Sequence, residues 1–172
     1  MSAVYGLVGF IALQRLAELA YARRNTARLM ARGAVESGAR AYPLFVLLHG
    51  GWLAAMLLSI DPATPANPPL LALFAVLQAA RLWVIASLSG RWTTRIIVPP
   101  GEPRITRGPY RFVKHPNYAI VIAEIAVAPL IFGAWGVALT FSVLNLALIS
   151  HRIRQENAAL AQGELGDRTN DS

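Results

Sequence analysis

Cysteine is absent from the 172-residue chain, which excludes disulfides, thiolate metal sites and a cysteine nucleophile. Histidine is scarce. His49, His115 and His151 are the three present, and no two of them have the close spacing of a ligand pair, so no metal site is expected. Charge is scarce too: Asp, Glu, Lys and Arg make up 15% of the residues, against about 25% in an ordinary soluble domain. No GxGxxG fingerprint follows a strand, so no Rossmann domain is expected. No internal repeat is visible, which makes an inverted-repeat transporter less attractive. What the chain does have is apolar sequence, at 55% hydrophobic residues with a mean hydropathy of +0.46. A bilayer is the simplest solvent for it.

Acid is scarcer than base. Nine Asp and Glu face sixteen Lys and Arg, for a net charge of +7. Such a balance invites a nucleic-acid reading, but the basic residues sit in short segments between apolar runs, as the positive-inside rule requires of a membrane protein. Membrane lipids, and no nucleic acid, are therefore the expected partners. The length suits a single domain, residues 1–172.

The first apolar run, residues 3–22, carries Arg15 and Glu18, three apart and able to neutralise each other on one helical face. No basic segment precedes it and no small-residue cleavage site follows, so it reads as a retained helix and not a signal peptide. A basic loop from Arg23 to Arg40 leads to a second run, 42–60, and a proline-rich turn, 61–69. The third run, 70–88, holds Gln78 and Arg81. Residues 89–116 are polar, basic and rich in Pro and Gly. The last run, 117–150, exceeds the roughly 20 residues of one span and contains Gly133 and Gly136, so it predicts a tight helical hairpin. A helical segment, 151–160, and a tail expected to be disordered, 161–172, follow. All Lys and Arg except Arg15 and Arg81 then fall on one side of the membrane. The expected fold is all-α, with about five transmembrane helices, the N-terminus outside and the C-terminus in the cytoplasm.

Two clusters stand out against that background. In the first, His115 precedes Pro116, which holds it extended, and Pro116 is placed to open the fourth helix. His115, Asn117 and Tyr118 would line the membrane boundary beside free backbone N–H groups suited to an anion. Arg91, Arg107 and Lys114 read more simply as contacts to lipid phosphates. The second cluster is Asn145, Arg152 and Glu156, whose offsets of seven and four keep them on one helical face. A hairpin brings Arg152 and Glu156 back beside His115 and Tyr118. Glu124, inside a span, either belongs to that site or pairs with Arg81 or Arg15 as structural glue. His49 is expected to pack in the bundle and His151 to face the interface.

Gly108-Pro-Tyr110, His115-Pro-Asn-Tyr118, the apolar hairpin and Arg152-x3-Glu156-x3-Leu160 resemble, in order and spacing, the isoprenylcysteine carboxyl methyltransferase family. The match is specific over residues 90–160. It extends more loosely along the chain to a small bacterial subgroup linked with type III polyketide synthases, through Trp92-Thr-Thr-Arg-Ile-Ile97 and Arg152-Ile-Arg154. The resemblance implies a five-helix O-methyltransferase of the bacterial cell membrane that uses S-adenosyl-L-methionine. It places Glu102, Pro103, Arg104, Ile105, Tyr110, His115, Pro116, Asn117, Tyr118 and Glu156 around the cofactor and Arg152 at the methyl acceptor. Arg95, Glu124 and Asn145 follow as possible substrate or supporting residues. The chain has fewer spans and a shorter C-terminus than eukaryotic members, which shifts the expected substrate from a prenylated cysteine towards a lipid-tailed small molecule such as an alkylpyrone or alkylresorcinol. The competing readings are a membrane scaffold or transporter, and a membrane reductase of similar architecture using NADPH.

Overall fold

The computed structural model describes residues 2–99 and 105–170, with side chains as far as residue 159. Five helices dominate: α1 (Ala3–Met30), α2 (Tyr42–Ser59), α3 (Pro68–Leu88), α4 (Pro116–Leu130) and α5 (Trp135–Asn170). Those on α1, α2, α3 and α5 include stretches long and apolar enough to cross a membrane, and the chain is an integral membrane protein. α4 is apolar but has 15 residues, about 22 Å at 1.5 Å per residue. It is the central helix. More than half of its residues are buried, Ile120, Val121, Ile125 and Ala128 among them, and it packs chiefly against α3 and α5. Their large exposed side chains, such as Leu13, Leu47, Leu58, Leu82 and Leu139, form the apolar exterior that a bilayer requires.

The helix boundaries follow local chemistry. α3 opens on Asn67, whose side chain accepts the Leu70 N–H at 3.2 Å, and on two prolines at its first positions. The Asn67 N–H in turn donates to the Ile131 carbonyl at 2.8 Å, fastening the α2–α3 turn to the α4–α5 turn. That second turn passes through Gly133 at φ +68, a left-handed conformation that glycine adopts without cost. α4 and α5 therefore form the expected tight hairpin.

Three features differ from the sequence reading. α1 continues to Met30, so Arg23, Arg24 and Arg28 lie on a helix that projects past its apolar run and not in a loop. Two short strands, β1 (Val35–Ser37) and β2 (Ile96–Val98), pair antiparallel with Val35 opposite Val98 and Ser37 opposite Ile96. They are too short to alter an all-helical fold, but they join the two polar segments. The backbone of α5 stays helical to Asn170, across most of the tail expected to be disordered.

In the middle of the bundle, Glu124 is fully buried. It accepts from Arg15 at 2.6 Å, Arg81 at 3.0 Å and Gln78 at 2.9 Å. Glu18 accepts from Arg81 Nη2 at 2.7 Å and from Arg15 at 3.0 Å. Two guanidiniums and two carboxylates cancel, and their forks are largely satisfied by hydrogen bonds. Through these contacts Glu124 ties α4 to α1 and α3.

Removing one member leaves an uncompensated charge, at a cost of about 3–5 kcal/mol for a buried pair. Glu124→Ala should therefore lower the unfolding midpoint of the detergent-purified protein sharply, while Glu124→Leu combined with Arg81→Leu should recover part of the loss. An unchanged midpoint in Glu124→Ala would show that the cluster does not hold the helices.

Candidate active site

The chain bends around a cavity of about 300 Å³ at the end of the bundle where the basic segments gather, near the lower size limit for small-molecule sites. Leu29 of α1, Leu88 of α3, β2, the start of α4 and the middle of α5 contribute its walls. α4 starts at the cavity because His115 takes the N-cap position in a non-helical conformation, φ −131 and ψ 61, and Pro116 fills the first helical position.

Tyr118 is the hub. Its hydroxyl accepts from Arg152 Nε at 2.9 Å and donates to Glu156 Oε2, which uses both capacities of a phenol. The contact spans 34 residues of sequence, and the hairpin closes it. Arg152 Nη2 also donates to the Thr94 carbonyl at 2.8 Å, and its guanidinium lies 5.2 Å from the centre of the Phe45 ring. These contacts fix the plane of the guanidinium and leave Nη1 for an incoming acceptor. The His115 ring stacks on Tyr118 at 5.4 Å, and its Nδ1 lies 3.9 Å from Glu156 Oε1. Tyr110 lines the same cavity. Burial, reinforced by the Glu156 carboxylate, pushes its phenol above the ordinary range, so it remains neutral.

Of the residues expected around a cofactor, Ile105, Tyr110, His115, Asn117, Tyr118 and Glu156 all line this cavity, together with Arg152 and Arg95. Pro116 is buried at the helix start and shapes the cavity without lining it. Glu102, Pro103 and Arg104 lie outside the described residues. Arg95 pairs with Glu36 at 3.1 Å and stacks over Tyr42 at 5.0 Å. Arg91 and Lys114, read from sequence as lipid contacts, also border the cavity. Neither Glu124 nor Asn145 reaches it. Asn145 shares a helical face with Arg152, but seven residues of α5 separate them by about 10 Å, and Asn145 is fully buried within the bundle.

Sequence reasoning missed Asn25 and Thr94. Asn25 is fully buried on α1, and its amide donates to the carbonyls of Trp92 at 2.9 Å and Ser89 at 3.3 Å. It anchors the segment that presents the Thr94 carbonyl to Arg152. Nothing in a lone asparagine among arginines signals that role. His49 packs as expected, its Nδ1 against the Phe45 carbonyl at 2.8 Å and its ring edge-on to Trp52, and His151 is exposed.

One feature tests whether the cavity suits a nucleoside-bearing amino acid. Asn117 lines the cavity, although its Oδ1 is itself buried and finds no partner among the described residues. Glu156 adds a carboxylate on the same cavity, matched to hydroxyl or ammonium donors. These groups fit S-adenosylmethionine, which offers amine and hydroxyl donors around a cationic centre.

"Uncharacterized protein YpbQ" of Bacillus subtilis is 36% identical over 160 residues, covering 91% of this chain and 95% of that protein. An uncharacterized protein of Haemophilus influenzae is 29% identical over 156 residues, covering 86% and 88%. No solved structure matches the chain. The model of the isoprenylcysteine carboxyl methyltransferase (ICMT) family matches residues 70–162, which include most of α3, all of α4, Arg152, Glu156 and every cavity-lining residue except Leu29. The chain belongs to the ICMT family of membrane methyltransferases.

Proposed function

We propose that the protein is an S-adenosylmethionine-dependent O-methyltransferase acting at the cytoplasmic membrane surface on a carboxylate or acidic hydroxyl of a lipid-tailed molecule. The observation that carries this reading is the Arg152–Tyr118–Glu156 unit on one wall of a cavity also lined by Tyr110, His115 and Asn117. The basic segments orient the chain with this end in the cytoplasm and the N-terminus outside. All five helices then cross, α4 doing so packed against α3 and α5. A lipid tail reaches the cavity from the bilayer and a soluble cofactor reaches it from the cytoplasm.

Bound S-adenosylmethionine supplies an electrophilic methyl group. Glu156, Asn117 and the backbone at the start of α4 would hold the donor's polar groups. Arg152 offers Nη1 to the acceptor oxygen and orients it. Its hold must stay moderate, because a contact that stabilises the nucleophile before transfer also raises the barrier. Tyr118 positions both ionic groups and keeps Glu156 from neutralising Arg152 directly. An acceptor already ionised at neutral pH needs no strong general base, so the contribution of the protein is orientation and exclusion of water. The apolar part of the cavity, Leu29, Leu88, Ile96 and Val98, suits a lipid tail such as that of an alkylpyrone or a prenyl group.

Membranes carrying the protein, incubated with methyl-labelled S-adenosylmethionine and a bacterial lipid extract, should transfer label to the organic phase. Arg152→Ala should lower turnover by about a hundredfold or more, as loss of an oxyanion donor does, with little change in KM for the cofactor. Glu156→Ala should raise that KM by roughly tenfold, as loss of a charged hydrogen bond does. Wild-type rates in both variants would overturn the site assignment.

A further inference from the structure

Behind the first cavity lies a second, of about 310 Å³, bordered by Arg28 and Arg32 of α1, by Ser89, Gly90 and Arg91 after α3, and by Arg107. Four guanidiniums face it, and among the described residues no carboxylate lines it. Arg28, Arg32 and Arg107 take part in no ion pair among the described residues. Three such cations around one recess repel one another unless an anion joins them.

Arg28, Arg32 and Arg107 are exposed, but the backbone around the recess is held in place. Arg107 Nε donates to the Ser87 carbonyl at 3.1 Å, which holds its guanidinium against the end of α3. The next residue, Gly108, stands at φ +61, and a Cβ there would come within 2.9 Å of Ser87 Cβ. Only glycine lets the chain lie that close. Ser89 has φ 50 and ψ −126, the sole positive φ outside glycine among the described residues. Its carbonyl is pinned by Trp92 N–H at 3.0 Å and by the Asn25 amide at 3.3 Å. Strained backbone held in place by its surroundings points to function. At Gly90 an added Cβ would meet nothing within 4 Å, so the backbone there lies open to a ligand.

We propose that this recess binds a phosphate group. Its tetrahedral oxygens accept from several guanidinium forks at once, and basic pockets beside transmembrane helices on the cytoplasmic side hold phosphorylated headgroups. The phosphate comes either from a membrane lipid or from a soluble phosphate compound. Leu29, Leu88, Arg91 and Ile105 border both cavities, so the bound phosphate would sit at the rim of the methyl-transfer cavity. The site does not depend on what the first cavity binds.

The test uses the full-length protein in neutral detergent at about 0.1 M salt, where exposed charges are screened beyond roughly 10 Å. Tryptophan fluorescence is followed during titration with dioctanoyl phosphatidic acid, dioctanoyl phosphatidylcholine and inorganic pyrophosphate. Saturable binding of phosphatidic acid is expected, weakened about tenfold or more by Arg28→Gln with Arg32→Gln. Gly90→Glu, which fits sterically, should do the same. Arg23→Gln with Arg24→Gln removes equal charge from the same helix away from the recess and should have little effect. Displacement of the lipid by pyrophosphate would identify a soluble phosphate as a ligand, and resistance to it would identify the headgroup. No saturable binding of either species, or equal weakening by the Arg23/Arg24 pair, would overturn the proposal.

Discussion

Two carboxylates and two guanidiniums sit at the middle of a bundle whose outer surface is made for lipid. An ionised group is expensive there unless it is paired and hydrogen-bonded, so Glu124 of α4 must remain against Arg15 of α1 and Arg81 of α3. That requirement fixes the depth of α4 relative to its neighbours. Apolar packing alone tolerates sliding by a turn, whereas the forked contacts of Arg81 to both Glu18 and Glu124 do not. The short central helix is thereby held with its first turn at the level of the basic segments.

The position of the candidate site follows from that depth. Tyr118 lies six residues before Glu124 on the same helix, about 9 Å nearer the end. The tight turn at Gly133 then sets the register of α5, and Arg152 and Glu156 arrive level with Tyr118. On the other side, Asn25 ties the segment after α3 to α1, and the β1–β2 ribbon closes the cavity from above. A neutral anchor in the bundle and a polar hub at its end are therefore joined by one rigid helix.

Much of this was legible in the sequence, because the controlling facts are local. Apolar runs and the placement of arginines gave the helices, and two glycines gave the hairpin. Counting residues along that hairpin brought His115–Tyr118 to Arg152 and Glu156. Other parts were hidden because they depend on long-range packing. The Arg15–Glu124 bond spans 109 residues; the sequence named Arg15 and Arg81 as possible partners but could not decide between pairing and a place in the site. Asn145 looked equivalent to Arg152 by helical phase, yet phase says nothing about depth. The extension of α1 to Met30 was masked by its run of arginines, which reads as a loop after an apolar span. The two strands are three residues each, too short for any alternation pattern to show.

The central claim is that the cavity beneath Tyr118 is a binding site for S-adenosylmethionine. Calorimetric titration of the detergent-purified protein with S-adenosylhomocysteine, and in parallel with NADPH, tests it most directly. Saturable binding of S-adenosylhomocysteine that is weakened about tenfold in Glu156→Ala, with no binding of NADPH, is the expected result. Binding of NADPH alone by a correctly folded protein would contradict the claim and make the cavity that of a reductase; binding of neither would remove the cofactor site altogether.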